Sequence, residues 1–97
     1  MYGLIGRFIA VPGKRDELLT ILTENVGDMP GCLSYVVARD PTNSDAVWIT
    51  EVWSDEASHK ASLELPAVKG AIMRAMPLIG SFAEHHITEP VGGHGLR

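Results

Sequence analysis

Three residues in one short stretch of the chain could take part in chemistry together: Glu51, Trp53 and His59. They supply a carboxylate, an indole with one N–H donor, and an imidazole that titrates near neutral pH. Residues 47–53 are rich in β-branched and aromatic types, which predicts a strand. The Ser-Asp pair that follows is typical of a helix N-cap, so a helix is expected to begin there. The pattern therefore predicts that carboxylate, indole and imidazole meet at one strand–helix joint.

The elements that position this joint follow from the apolar pattern and the turn residues. An apolar strand is predicted over residues 4–11 and an amphipathic helix over 14–26, before a Gly-Pro-rich turn. The next two strands, at 32–39 and 46–53, are joined by a turn of residue types that bond their own backbone. Helices at 55–65 and from Pro66 onward come next, with a kink at Pro77 and an end at Gly80. The last predicted strand covers residues 81–89.

This order, β-α-β-β-α-β, is the ferredoxin-like arrangement of the α+β class, with one antiparallel sheet and all helices on one face. The first strand is apolar on both alternating faces, so the face without helices also needs a cover. A second copy of the sheet is the simplest cover, which predicts a homodimer. We assign residues 1–90 to a single domain and residues 91–97 to a glycine-rich C-terminal tail.

Composition narrows the range of partners. Eight basic and twelve acidic residues give a net charge of −4, and Lys and Arg do not cluster, so no nucleic-acid partner is expected. The single cysteine, Cys32, cannot form an internal disulfide and fits a reducing cytoplasm. The sequence starts without the features of a signal peptide and has no apolar run of the ~20 residues that cross a bilayer. We therefore expect a cytoplasmic protein without a membrane partner.

A set of short motifs, in order and at fixed spacing, resembles the antibiotic biosynthesis monooxygenase domain family over nearly the whole chain. They are Arg7-Phe8, Pro12-Gly13, Pro30-Gly31-Cys32-Leu33-Ser34-Tyr35, Glu51-Val52-Trp53, Ala57, Leu65-Pro66 and Val68. The resemblance implies a homodimeric α+β barrel with a pocket between sheet and helices in each subunit. It also implies oxygenation of a quinol- or anthrone-like aromatic by dioxygen, with no cofactor and no metal.

The chain departs from the family pattern at three places. Many relatives carry a histidine where this chain has Ser62, and its own helix histidine is His59. Some oxygenating relatives carry an asparagine where Ile49 stands. The branch that degrades haem uses an asparagine near the first strand, and this chain has asparagine only at positions 25 and 43. Haem degradation is therefore disfavoured.

The chemistry of such an oxygenation suggests roles for particular side chains of this chain. His59 would be the base that removes a proton from the substrate, because a base with a pKa near working pH does this best. Trp53 would be a flat wall with one N–H donor, and Tyr35 would donate to a substrate carbonyl. Glu51 would orient the imidazole of His59. The candidate catalytic residues are His59 and Trp53, and the candidate substrate-binding residues are Tyr35, Glu51, Arg7, Ser62 and Met73.

Simpler structural roles compete with these assignments. Trp53 and Tyr35 could be packing residues, and Glu51 could form an ion pair with Arg7. His59 faces solvent if the buried side of its helix is the row of Ala57, Ala61 and Leu65. His85 and His86 are neighbours on a strand and point to opposite faces, so they cannot bind one metal ion together.

Two other functions remain open at this stage. One is a non-catalytic, ligand-binding or stress-linked protein of the same fold, which a small or side-chain-filled pocket would favour. The other is a sugar-phosphate isomerase, which needs a cationic pocket. The cations that could line such a pocket are Arg7, Arg39, Lys60, Lys69 and Arg74.

Overall fold

The computed structural model describes residues 1–24 and 29–96. The two strands that flank the polar turn have the predicted bounds, and the other elements begin or end within a few residues of the prediction. In chain order the elements are β1 (Tyr2–Ala10), α1 (Arg15–Leu22), β2 (Cys32–Arg39), β3 (Ala46–Trp53), α2 (Glu56–Ser62), α3 (Pro66–Ala75), a 3₁₀ turn (Met76–Leu78) and β4 (Ile79–Thr88).

The four strands form one antiparallel sheet in the order β2-β3-β1-β4, which confirms the ferredoxin-like α+β fold. In the β1–β3 pair, Leu4 lies opposite Glu51 and Arg7 lies opposite Trp48. Because side chains alternate between faces along a strand, Glu51 and Arg7 are on opposite faces of the sheet. This register decides which predicted site residues can meet.

The helices pack on the face that carries the odd-numbered residues of β3. Leu18 and Ile21 of α1 are buried against Val47 and Ile49 of β3. Ala75 and Leu78, at the end of α3 and in the 3₁₀ turn, complete the same core. The core thus joins α1 and the end of α3 to the middle of the sheet.

The other face of the sheet has a buried polar network at the β2–β3 turn. The Asp40 carboxylate accepts hydrogen bonds from the Thr42 amide at 2.8 Å, the Thr42 hydroxyl at 2.7 Å, Arg7 Nε at 2.9 Å and Trp48 Nε1 at 3.0 Å. The Thr42 bonds, followed by the Arg7 bond, hold the pKa of Asp40 well below its usual range. The predicted Arg7–Glu51 ion pair is wrong, because the register places Arg7 on the Asp40 side.

Two details of the helical segments also differ from the prediction. The helix that begins at Pro66 ends at Ala75, and Pro77, which lacks an N–H donor, lies in the 3₁₀ turn that follows. Gly80 does not end this helix but belongs to β4, where a Cβ would lie 3.3 Å from the Ile9 carbonyl oxygen. The predicted last residues of the first helix, 25 and 26, lie outside the described residues.

Within residues 1–24 and 29–96, no helix is long and apolar enough to span a membrane.

Candidate functional site

The strand–helix joint brings together the carboxylate, indole and imidazole that the sequence singles out. Trp53 Nε1 donates to Glu51 Oε1 at 2.9 Å, and the Trp53 side chain is 1% exposed. The His59 ring lies 5.4 Å from the Trp53 ring and 5.7 Å from the Tyr2 ring, measured between ring centres. Trp53 therefore binds the carboxylate with its polar edge and packs against the imidazole, and His59 sits between two aromatic rings.

Helix α2 begins at an N-cap, Asp55, whose carboxylate accepts from the Ser58 amide at 2.7 Å. From this start the helix turns Ser62 into the interior and leaves Ala57 and Ala61 exposed. The alternative in which an alanine row faces the sheet is therefore wrong, and His59 is half-buried on the inner side. The helix can approach the sheet closely because its inner residues are small or flat, and the Ser62 hydroxyl donates to the His59 carbonyl at 2.6 Å.

An apolar cavity lies between the sheet and helices α1 and α3, and one of its lining residues, Tyr35, is the cross-strand neighbour of Glu51 in this joint. Its volume is about 210 Å³. Phe8 of β1 and Phe82 of β4 form part of its aromatic wall, with ring centres 5.1 Å apart in an edge-to-face arrangement. The described lining residues are Phe8, Ile21, Leu22, Glu24, Met29, Tyr35, Ala67, Val68, Ala71, Ile72, Ala75, Met76, Ile79 and Phe82.

Two of the described lining residues carry polar side chains. Burial and then the negative charge of Glu51, the cross-strand neighbour of Tyr35, raise the pKa of the Tyr35 hydroxyl to about 12. This hydroxyl is therefore protonated at neutral pH and can donate a hydrogen bond. Glu24 lies at the cavity mouth, where its Oε2 accepts from Arg74 Nη2 at 2.7 Å. That hydrogen bond lowers the pKa of Glu24, so its carboxylate is charged at neutral pH.

The seven predicted site residues separate into three groups. Tyr35 lines the cavity, whereas Trp53, His59, Glu51 and Ser62 lie around the strand–helix joint. The other two are on the surface of the fold: Arg7 is on the sheet face without helices, and Met73 is 76% exposed.

The free thiol of Cys32 is a poor candidate nucleophile. Burial raises its pKa, and the charge of Glu51 raises it further, so the thiol is protonated at neutral pH.

Sequence reasoning missed Phe8, Phe82 and Glu24 as lining residues. Phe8 and Phe82 are brought together by the β1–β4 pairing, whose register shifts between Arg7 and Phe8. A shift of this kind leaves no local mark in the sequence. Glu24 is an acidic residue near the C-terminal end of a helix, where a negative charge lowers stability. This unusual position could have drawn attention to Glu24, but it does not identify a cavity.

The sheet with helices on one face and an apolar cavity beneath them defines a small α+β domain of the ferredoxin-like type. The sequence profile of the antibiotic biosynthesis monooxygenase family matches residues 1–74. A crystal structure from Chloroflexus aurantiacus, named for the same family, has 60% sequence identity and a TM-score of 0.96, and the alignment covers 99% of this chain and 98% of that one. The chain therefore belongs to the antibiotic biosynthesis monooxygenase family.

More distant structures share the fold. One from Deinococcus radiodurans, also named for this family, has 24% identity and a TM-score of 0.80, with 96% of this chain and 95% of that chain covered. Another so named, from Caulobacter crescentus, has 19% identity and a TM-score of 0.81, with 94% and 90% covered. No curated protein matches the chain.

Proposed function

We propose that this protein is a cofactor-independent monooxygenase that oxidises a small quinol-like aromatic in the cavity between sheet and helices. The observation that carries the proposal is the half-buried Tyr35, whose hydroxyl is a donor in a cavity whose other described lining residues, apart from Glu24, are apolar. Such a lining suits a flat aromatic ring, and a single inner donor suits an oxygen on that ring. The family membership supports the reaction class.

Oxygenation of a quinol-like ring without a cofactor requires few protein groups. A quinol-like ring that loses a hydroxyl proton becomes electron-rich enough to transfer an electron to dioxygen. The two radicals combine to a peroxide on a ring carbon that bears hydrogen, and the outer peroxide oxygen takes up the proton that the hydroxyl lost. Loss of the ring C–H proton as the O–O bond breaks then leaves one oxygen on the ring as a carbonyl and releases the other, with both protons, as water. Tyr35 would donate a hydrogen bond to the ring oxygen as negative charge develops there, and the apolar walls would keep water from the peroxide.

The size of the cavity favours a substrate of one or two rings. A cavity of ~150 Å³ is sufficient to bind benzene. At about 210 Å³ this cavity has room for more than one benzene ring. A three-ring anthrone would extend past the exposed lining residues, among which Phe82 is 60% exposed, so we place two-ring quinols ahead of anthrones as substrates.

His59 remains a candidate base in this proposal, although it lies outside the described lining. It contacts Trp53, which binds Glu51, which in turn is the cross-strand neighbour of Tyr35. This series of neighbours runs from the imidazole to Tyr35, which lines the cavity, so His59 would need a water molecule or a shift of the substrate to reach the proton that it removes. Trp53 and Glu51 would then act by positioning rather than by touching the substrate.

Oxygen uptake with a two-ring hydroquinone and with anthrone tests the proposal. We expect uptake with the smaller substrate, and a decrease in kcat/KM of about 100-fold in Tyr35→Phe, because a donor to developing charge is lost. Met73→Ala is a suitable control, since that exposed side chain is not among the described lining residues. Equal rates in Tyr35→Phe and the unaltered protein would contradict the role given to the hydroxyl.

A non-catalytic binding function is the second candidate. It is favoured by the absence of an imidazole among the described lining residues. Saturable binding of the hydroquinone without oxygen uptake would support it. The apolar cavity does not support the isomerase alternative, because none of the five candidate cations is among its described lining residues.

We also propose that the protein functions as a homodimer in which the helix-free faces of two sheets meet. That face carries apolar side chains at Ile5, Ile9, Val36 and Val52, and Val36 is 53% exposed. Burying this face against a copy of itself would remove it from water, which is the usual driving force for such association.

Sedimentation measurements test the dimer. We expect the mass of a dimer for the unaltered protein, and a shift toward monomer for Val36→Glu, which would place a charge in the contact. Val91→Glu is the matched control, because Val91 is 97% exposed in the C-terminal segment. A monomer at micromolar concentration would contradict this assembly.

A further inference from the structure

An ion pair joins Glu24, an exposed lining residue of the cavity, to Arg74. Glu24 follows the end of α1, and Arg74 is in the last turn of α3. Their side chains are 38% and 52% exposed, and Arg74 Nη2 lies 2.7 Å from Glu24 Oε2. Exposed ion pairs add little to the free energy of unfolding, so a role in holding the two helices together does not explain this pair. Glu24 differs from the other surface acids because it also lines the cavity.

The Glu24 carboxylate has hydrogen-bonding capacity that Arg74 does not use. A carboxylate can accept about four hydrogen bonds on its two oxygens. Arg74 occupies Oε2 and holds the group in its ionised form, in which it is an acceptor only. A ligand group at the mouth must therefore be a donor to gain from this carboxylate.

The inner end of the cavity has the opposite character, because the protonated Tyr35 hydroxyl can donate. We propose that Glu24 accepts a hydrogen bond from a hydroxyl group of the ligand at the mouth, so that the cavity selects aromatics that carry a hydroxyl on the outward side. This inference rests on the proposed function in one respect, because it requires that the ligand binds in the apolar cavity.

The charges at the mouth favour a neutral hydroxyl over a charged group. A charged ligand group would meet one like and one opposite charge of the Glu24–Arg74 pair, so attraction and repulsion would largely offset each other, and the group would also lose hydration. A hydroxyl meets no such repulsion and leaves the Glu24–Arg74 pair in place. The ligand class is therefore a neutral phenol or quinol with its hydroxyl directed outward.

Binding of 1-naphthol and 1-methoxynaphthalene, followed by calorimetry at neutral pH, tests the inference. The two probes share a ring system, but only the naphthol can donate. The measurement is made in the Tyr35→Phe background, so that the inner hydroxyl cannot contribute to the preference. We expect about a five- to tenfold preference for naphthol, the size of a net hydrogen bond to an exposed acceptor.

Two further variants separate the acceptor from the ion pair. Glu24→Met removes the carboxylate and the ion pair, whereas Arg74→Gln removes the ion pair and keeps the carboxylate. We expect the preference for naphthol to disappear in Glu24→Met and to persist in Arg74→Gln. An unchanged preference in Glu24→Met, or an equal loss in both variants, would overturn the inference.

The outcome also separates this inference from the proposed function. If both probes bind the unaltered protein and Glu24→Met leaves their ratio unchanged, the cavity is a ligand site and only the role of Glu24 is wrong. If neither probe binds, the cavity is not a site for small aromatics and both proposals fail.

Discussion

The protonation of Tyr35 at working pH is the property of the site that can be measured most directly. Burial, followed by the charge of Glu51 and then Cys32, raises the pKa of this phenol from 10.0 to about 12. That rise corresponds to about 3 kcal/mol in favour of the neutral hydroxyl. The chain has two tyrosines, so Tyr2→Phe leaves Tyr35 as the only phenol. We expect its tyrosinate absorbance to appear with a midpoint near pH 12.

The same shift makes a prediction for stability. The pKa of Tyr35 is higher in the folded state than in the unfolded chain, so the unfolded state loses this proton first as pH rises. The contribution is fully present below about pH 10 and is lost between about pH 10 and pH 12, with a total of about 3 kcal/mol. Urea unfolding on either side of this window, compared with Tyr35→Phe, isolates the contribution of Tyr35.

Glu51→Gln provides a second check, because it removes the charge and leaves the burial. We expect the pKa of Tyr35 to fall in this variant but to stay above its ordinary value, since burial is the larger cause. A midpoint near pH 10 in Tyr2→Phe, while circular dichroism shows the native fold, would refute the reasoning. The hydroxyl would then be in contact with water rather than enclosed by the cavity.

Four substitutions test the packing around the site and in the fold. Leu18→Ala, at a side chain with 0% exposure, should lower the free energy of unfolding by about 3 kcal/mol, measured in urea. Gly31→Ala should be more destabilising than Gly13→Ala: both have a positive φ, but a Cβ at Gly31 would lie 2.6 Å from the Ser58 Cβ, and one at Gly13 meets nothing within 4 Å. Equal losses would show that backbone conformation alone matters. His59→Ala should lower stability by about 1 kcal/mol through its two ring contacts; an unchanged rate of oxygen uptake in this variant would remove His59 as the base.

Strands β2 and β3 could be predicted because the residues at their ends are typical of turns and helix starts. The polar turn between β2 and β3 contains residues that bond their own backbone, as when the Asp45 amide donates to the Asn43 side chain at 2.9 Å. The strand residues on either side are β-branched and aromatic, so their bounds follow from composition. The meeting of Trp53 with His59 was also predictable, because it depends on one strand–helix joint.

The face of each element and the position of the cavity could not be predicted in the same way. Arg7 pairs with Asp40 rather than with Glu51 because of the β1–β3 register, which long-range pairing sets. Which side of α2 is buried depends on the orientation of the helix after its N-cap. The positions of small residues in the sequence therefore could not identify the buried side. Phe82 reaches Phe8 only through an irregular strand pair.

The two tryptophans give the fold a pair of spectroscopic probes. Trp48 and Trp53 lie on the same strand but on opposite faces of the sheet, one beside the Arg7 guanidinium and the other beside the His59 ring. Their emission should therefore respond to different events. A change in Trp53 emission would report changes around the His59 ring, and a spectral shift of Trp48 would report the proposed association through the helix-free face. With Trp48→Phe and Trp53→Phe as single-probe versions, the proposed ligand uptake and the proposed assembly can be timed separately in parallel samples.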